Sequence, residues 1–195
     1  MDRKPFILEG PDACGKTTLA HAIISKFGGR YIHLTFEDHL VELQWSALVE
    51  AANNPGITII DRHWVSEQVY GSVYRNSVST DPHAPWQINM FEQLEGIYIF
   101  CLPRPDKAFL YHREMAVKRE ELYESDGRTL QAAQAYYQFV YGTTDVNTAF
   151  GEINCLAKRV ARSGGFLHQY ESYVFDRSTH SPEEWLDMHA SLFTC

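Results

Sequence analysis

An octapeptide near the start of the chain, Gly10-Pro11-Asp12-Ala13-Cys14-Gly15-Lys16-Thr17, constrains the fold more than any other feature of the sequence. It satisfies G-x-x-x-x-G-K-[ST], with a strand-like hydrophobic run (Phe6 to Glu9) before it and a helical pattern after it. Two glycines let the backbone turn tightly enough for successive N–H groups to point inward at phosphate oxygens. The helix that starts at Gly15 adds the positive end of its dipole. The spacing predicts that Lys16 reaches the β- and γ-phosphates of a nucleotide such as ATP and that Thr17 places a hydroxyl on Mg²⁺. Gly10, Asp12, Ala13, Cys14, Gly15, Lys16, Thr17 and Thr18 are the expected nucleotide contacts. Cys14 sits near a helix N-terminus, where thiolates are favoured, but the preferred reading is a small residue tolerated in the loop.

The rest of the chain alternates strand and helix, which predicts an α/β fold with a mainly parallel β-sheet flanked by helices, the P-loop NTPase arrangement. Strands are expected at 6–9, 31–35, 57–60, 97–102 and 173–175. Helices are expected at about 15–27, 37–52, 64–75, 85–94, 106–123, 129–141 and 145–161. A last helix opens at Ser181-Pro182-Glu183-Glu184, with Ser at the N-cap, Pro at N1 and Glu at N3. With no repeat or linker in view, residues 1–195 are expected to form a single domain, its helical lid at about 104–128. Ile57-Thr58-Ile59-Ile60-Asp61 is a buried-strand run ending in a carboxylate. If that strand lies beside the first, Asp61 comes near Thr17 and is the second predicted Mg²⁺ ligand.

Composition narrows the function classes. At 45% hydrophobic, with 11 Phe, 11 Tyr and 4 Trp, the chain has the means to bury a core. No run is long and apolar enough to span a bilayer, and no secretory h-region is visible. The four cysteines are scattered without a CxxC pair, which argues against a disulfide framework or structural zinc and fits a reducing cytoplasm. The nine histidines show no metal-ligand spacing. A net charge of −8 disfavours a polynucleotide partner and points local basic clusters toward small anions.

Glu9-Gly10-Pro11-Asp12-Ala13-Cys14-Gly15-Lys16-Thr17-Thr18 resembles the opening of the thymidylate kinases, E-G-x-D-x-x-G-K-[ST]-T. Asp61-Arg62-His63-Trp64-Val65-Ser66-Glu67-Gln68-Val69-Tyr70 is similar to that family's D-R-[YFH]-x-x-S-x-x-x-[YF] segment. The basic stretch 113–119 resembles its lid, and residues 173–184 resemble its closing strand, adenine loop and last helix. The resemblance implies a (deoxy)nucleoside monophosphate kinase that uses ATP and Mg²⁺, with dTMP the default acceptor and a homodimer as assembly. It implies that Arg62 grips the acceptor's α-phosphate, Asp12 holds the sugar 3′-hydroxyl and Tyr70 crowds C2′, while Ser66 and Glu67 approach the base. The chain departs from the family at Glu67, where thymine-specific members often carry Asn, and at Leu34-Thr35-Phe36-Glu37-Asp38, where they carry T-R-E-P-G-G-T. Phe36 and Trp45 are therefore candidates for stacking on the base.

Phosphoryl transfer is mostly positioning and charge neutralisation. The loop offers no arginine, so the expectation falls on the lid: His112, Arg113, Lys118 and Arg119, with Arg113 and Arg119 first as catalytic cations beside Lys16 and Arg62. An anionic phosphate acceptor needs no general base, whereas a neutral hydroxyl would be helped by a carboxylate such as Glu9 or Asp61. That is the chemical difference from the rival reading, a deoxynucleoside kinase. A third reading is a nucleotide-dependent switch, although the N-K-x-D base-reading motif of GTPase switches is absent.

Overall fold

The structure, a computed structural model of the chain, describes residues 3–34, 40–74, 84–118, 128–141 and 171–194. Five strands form one sheet: β1 (Arg3–Glu9), β2 (Arg30–His33), β3 (Gly56–Asp61), β4 (Ile97–Cys101) and β5 (Ser172–Phe175). Their order is β2-β3-β1-β4-β5, and every pairing is parallel. Parallel strands need crossovers, and helices lie in them: α1 (Lys16–Phe27), α2 (Leu40–Asn53), α3 (Trp64–Tyr74), α4 (Ala84–Gln93), α5 (Pro105–Lys118) and α6 (Arg128–Tyr141), while α7 (Pro182–Met188) follows the last strand.

β1 and β4 are buried on both faces, as their unbroken apolar runs require. Because successive side chains point to opposite faces, β1 divides its residues between two cores. Ile7 joins Ile60, Tyr98 and Phe100 under α2, α3, α4 and α6. Phe6 and Leu8 join Ile59, Ile97 and Ile99 under α1 and α7, with Trp185 and Phe193 closing that side.

The strand and helix expectations hold within a few residues at the element ends. α7 carries the predicted capping box: the Glu184 N–H donates to Ser181 Oγ at 3.2 Å, and the Ser181 N–H donates to Glu184 Oε2 at 2.8 Å. α2 is described from Leu40, so the predicted helix start at 37 lies outside the described residues. So do the predicted helix over 145–161 and most of the lid beyond Lys118, with Arg119 in it. Among the described residues no helix is long and apolar enough to cross a membrane.

The chain leaves β3 on one side of β1 and enters β4 on the other. That reversal opens a crevice at the carboxyl end of β1, where α/β sheets bind ligands.

Candidate functional site

The loop after β1 occupies that crevice. Its backbone runs through positive φ at Gly10 (144°), Ala13 (60°) and Gly15 (94°), the mixed-hand conformation that turns N–H groups to one side. Gly10 is required sterically, since a Cβ there would lie 2.2 Å from the carbonyl oxygen of Cys101. No side chain caps α1 at Gly15, so the N–H groups of its first turn are left for a ligand. Lys16 is buried, and its Nζ donates to the carbonyls of Gly10 (2.9 Å) and Pro11 (2.7 Å).

A cavity of about 490 Å³ lies over the loop. Loop residues 12–18 form its floor. Its walls come from His33 on β2, Asp61 and Arg62 at the end of β3, His112 and Met115 on α5, and Arg177 after β5.

Asp61 is fully buried. Its Oδ2 accepts from Tyr31 Oη at 2.6 Å and from Thr17 Oγ1 at 3.3 Å, and His33 Nδ1 stands 3.3 Å away. Burial alone would raise its pKa. The hydrogen bonds from His33 and Tyr31 and the charges of Lys16 and Arg62 prevail and hold it at about 2. Its other oxygen, Oδ1, is buried with no hydrogen-bond partner among the described residues. An ionised carboxylate with an unpaired buried oxygen, beside a threonine hydroxyl, suits a hard divalent cation such as Mg²⁺. Among the described residues no group of three His, Cys, Asp or Glu side chains could hold a metal.

Arg62 follows directly, in the left-handed region at φ 73°, its N–H bonded to the Leu8 carbonyl at 2.9 Å. The twist sends consecutive side chains different ways. The Arg62 guanidinium pairs with Asp12 and lies 4.8 Å from the centre of the Tyr70 ring. Burial works to raise Asp12's pKa, but the Arg62 and Lys16 charges prevail and leave it below the usual carboxylate range. Burial pushes the Tyr70 hydroxyl up, so it stays a neutral ring under the cation.

Glu9 is buried behind this layer. Its carboxylate caps α3, accepting from the N–H groups of His63 (2.8 Å) and Ser66 (3.2 Å), and from the hydroxyls of Ser66 (2.6 Å) and Tyr136 (3.1 Å). Burial raises its pKa to about 7, against those hydrogen bonds and the Arg62 charge.

The structure thus brings Asp12, Ala13, Cys14, Gly15, Lys16, Thr17, Thr18, Asp61 and Arg62 to one cavity, with Gly10 at the foot of the loop. Ser66 is tied to Glu9 and Tyr136 and Tyr70 lies under Arg62, both outside the cavity lining, and Glu67 is half-buried on α3, also outside it. Arg113 is exposed and outside the lining as well: it lies one residue past His112, and a step of about 100° turns it off the cavity face of α5. Phe36 and Arg119 lie outside the described residues. Trp45 is 43% exposed on α2. Burial pushes the Cys14 thiol up to about 12, which removes the thiolate its helix position suggested.

Sequence reasoning missed three side chains. Tyr31 and His33 alternate on β2 and so share a face, and the parallel register sets His33 opposite Asp61. Arg177 donates to the Ala13 carbonyl at 2.8 Å, and its guanidinium lies 4.2 Å from the Tyr111 ring centre, joining the loop after β5 to both the phosphate loop and α5.

Sheet order, loop and lining together define a P-loop kinase fold. No family model and no curated protein matches the chain in sequence. Solved structures match it along nearly its whole length. The YorR protein of Bacillus subtilis, in complex with phosphorylated GDP, superposes with a TM-score of 0.62 at 18% identity, over 96% of this chain and 94% of that one. Deoxyadenosine kinase from M. mycoides superposes with a TM-score of 0.51, at 13% identity with bound dATP and 14% with bound dCTP, over 96% of this chain and 98% of that one in each case. At these identities the likeness speaks to the fold.

Proposed function

We propose that the chain transfers the γ-phosphate of ATP to the 5′-phosphate of a (deoxy)nucleoside monophosphate, with dTMP the first acceptor to test. The observation that carries this reading is the Arg62 guanidinium. It is a permanent cation held by Asp12 and the Tyr70 ring, one residue from the carboxylate that suits the metal and at the edge of the phosphate cradle. A planar fork in that place fits a second phosphate better than a neutral hydroxyl. Of the carboxylates lining the cavity, Asp61 and Asp12 are held below the ordinary carboxylate range and are poor bases for a hydroxyl acceptor. Glu9, with its raised pKa of about 7, is basic enough, but it lies outside the cavity lining and is already bonded to four donors.

On this reading the loop N–H groups and Lys16 hold the β- and γ-phosphates, and Arg62 holds the acceptor phosphate in line. One acceptor oxygen forms the new bond to the γ-phosphorus as the bond to the oxygen of the departing ADP breaks. Mg²⁺, held by Thr17 and Asp61, would supply charge neutralisation on the phosphates. Arg177 and His112, on the cavity wall, add positive charge or hydrogen-bond donors above the loop.

The test is ADP release with ATP, Mg²⁺ and each ribo- and deoxynucleoside monophosphate, beside the free nucleosides. Stimulation by monophosphates supports the reading; stimulation by nucleosides alone replaces it with a nucleoside kinase. Arg62→Gln is expected to lower kcat/KM for the acceptor about 10- to 100-fold, with Arg62→Lys intermediate, from the loss of a charge-assisted pair.

A further inference from the structure

The carboxylate that suits the metal is held not only by Thr17 of the nucleotide-binding motif but by two side chains outside it, Tyr31 and His33. Asp61 Oδ2 takes three groups at once: Tyr31 Oη at 2.6 Å, Thr17 Oγ1 at 3.3 Å and His33 Nδ1 at 3.3 Å. Its Oδ1 is buried and takes none among the described residues. A carboxylate can rotate and exchange its oxygens, and one with a single short contact would do so. Saturating Oδ2 removes that freedom and leaves one oxygen, always the same one, unpaired.

The holders are themselves placed firmly. Tyr31 and His33 sit two apart on β2, whose ladder to β3 sets Tyr31 opposite Ile59 and His33 opposite Asp61. The Tyr31 ring lies between two imidazoles, with centroids 5.4 Å from His21 and 6.2 Å from His33. Leu34 N–H bonds the Asp61 carbonyl at 3.1 Å and carries the strand pairing past the site.

We propose that Tyr31, supported by His33, is a positioning residue for the divalent cation: it locks Asp61 through Oδ2 so that Oδ1 is presented to the metal that accompanies the nucleotide. This rests on the nucleotide-binding reading of the cavity. Tyr31 itself need not touch the metal, since a hydroxyl that donates its proton to the ligand fixes the orientation from behind. Outer partners of this kind govern metal affinity by about 10- to 100-fold.

The experiment separates nucleotide from metal. ADP binding is measured by calorimetry in EDTA. Mn²⁺ binding to the ADP-saturated protein is then followed by electron paramagnetic resonance, for wild type, Tyr31→Phe and His33→Ala. Tyr31→Phe is expected to bind ADP as wild type does and to bind Mn²⁺ about tenfold more weakly, with His33→Ala showing a smaller loss. Wild-type Mn²⁺ affinity in Tyr31→Phe, with ADP binding intact, overturns the inference and leaves the nucleotide-binding reading standing. Failure of wild type to bind ADP overturns that reading and the inference with it. His33 is on an edge strand and 45% exposed, so His33→Ala is the variant to rely on if Tyr31→Phe does not fold. No loss of Mn²⁺ affinity in a folded His33→Ala then counts against the inference.

Discussion

Glu9→Gln should alter how stability depends on pH, and the buried pair Glu9 and His63 allows the size to be worked out. The pKa of Glu9 rises from 4.5 to about 7 on burial. Below pH 4.5 both folded and unfolded chains hold this proton, and ionisation costs the fold nothing. Between 4.5 and 7 the unfolded chain releases the proton and the folded one keeps it, so stability falls as pH rises. Above 7 the cost is constant, at about 3 kcal/mol for a shift of this size. His63 runs the other way. Burial lowers it from 6.5 to about 4, against the hydrogen bond its Nε2–H donates to the Gln44 carbonyl. Its contribution is full above pH 6.5 and is lost as pH falls toward 4, again by about 3 kcal/mol. In wild type the two slopes nearly cancel between pH 4.5 and 6.5. Glutamine can keep the hydrogen bonds. Its carbonyl accepts from the N–H groups of His63 and Ser66, its amide donates toward Tyr136, and the Ser66 and Tyr136 hydroxyls can turn round, since either can be the donor in their mutual bond. Glu9→Gln therefore removes the falling limb and exposes the rising one. Urea unfolding at pH 5 and pH 8 is expected to show the difference between variant and wild type growing by about 2–3 kcal/mol in favour of the variant. A difference that stays constant between those pH values would refute the assignment of a displaced proton to Glu9.

Gly10→Ala is expected to lose ~3 kcal/mol or more in urea unfolding, because its Cβ would meet a backbone oxygen of β4 at 2.2 Å with φ at 144°; a wild-type midpoint would mean that loop and strand do not pack this way. Arg177→Ala is expected to weaken ATP binding about tenfold with the acceptor KM unchanged, since its guanidinium joins the Ala13 carbonyl to the Tyr111 ring beside the cradle. Calorimetry with ATP and steady-state kinetics with the acceptor check the two halves, and a shift in acceptor KM alone would place Arg177 on the wrong side of the cavity.

What was legible in the sequence is what is local or periodic. The cradle could be read because glycine spacing, preceding strand and following helix are all contiguous, and the capping box at Ser181 because its partners are three residues apart. Asp61 could be read once a parallel sheet was assumed. Tyr31 and His33 were not singled out, because their role depends on the register between β2 and β3, which periodicity does not supply. Arg177 escaped because its partners, Ala13 and Tyr111, are far from it in the chain. The emphasis on Arg113 came from a basic helical stretch that resembles a lid. A basic stretch shows that charge is available, whereas the turn of α5 decides that His112 and Met115 line the cavity.

The end of β3 shows why the site is built from so few positions. Three successive residues there serve three layers. Asp61 turns toward Thr17 and β2, Arg62 toward Asp12 and Tyr70, and the His63 N–H toward the Glu9 carboxylate that caps α3. Side chains on an extended strand would alternate between the two faces of the sheet and send Arg62 into packed core. The left-handed φ at Arg62 prevents this, at a cost of roughly 1–2 kcal/mol for a residue with a Cβ. The cost is offset because the same turn gives the Arg62 N–H the Leu8 carbonyl and starts α3 on Glu9. The strain thus sits on the residue that must leave the strand plane for a cation to stand beside the metal carboxylate without pairing with it. Asp12, on the loop that floors the cavity, takes that pairing instead, and among the described residues Asp61 Oδ1 is left unpaired.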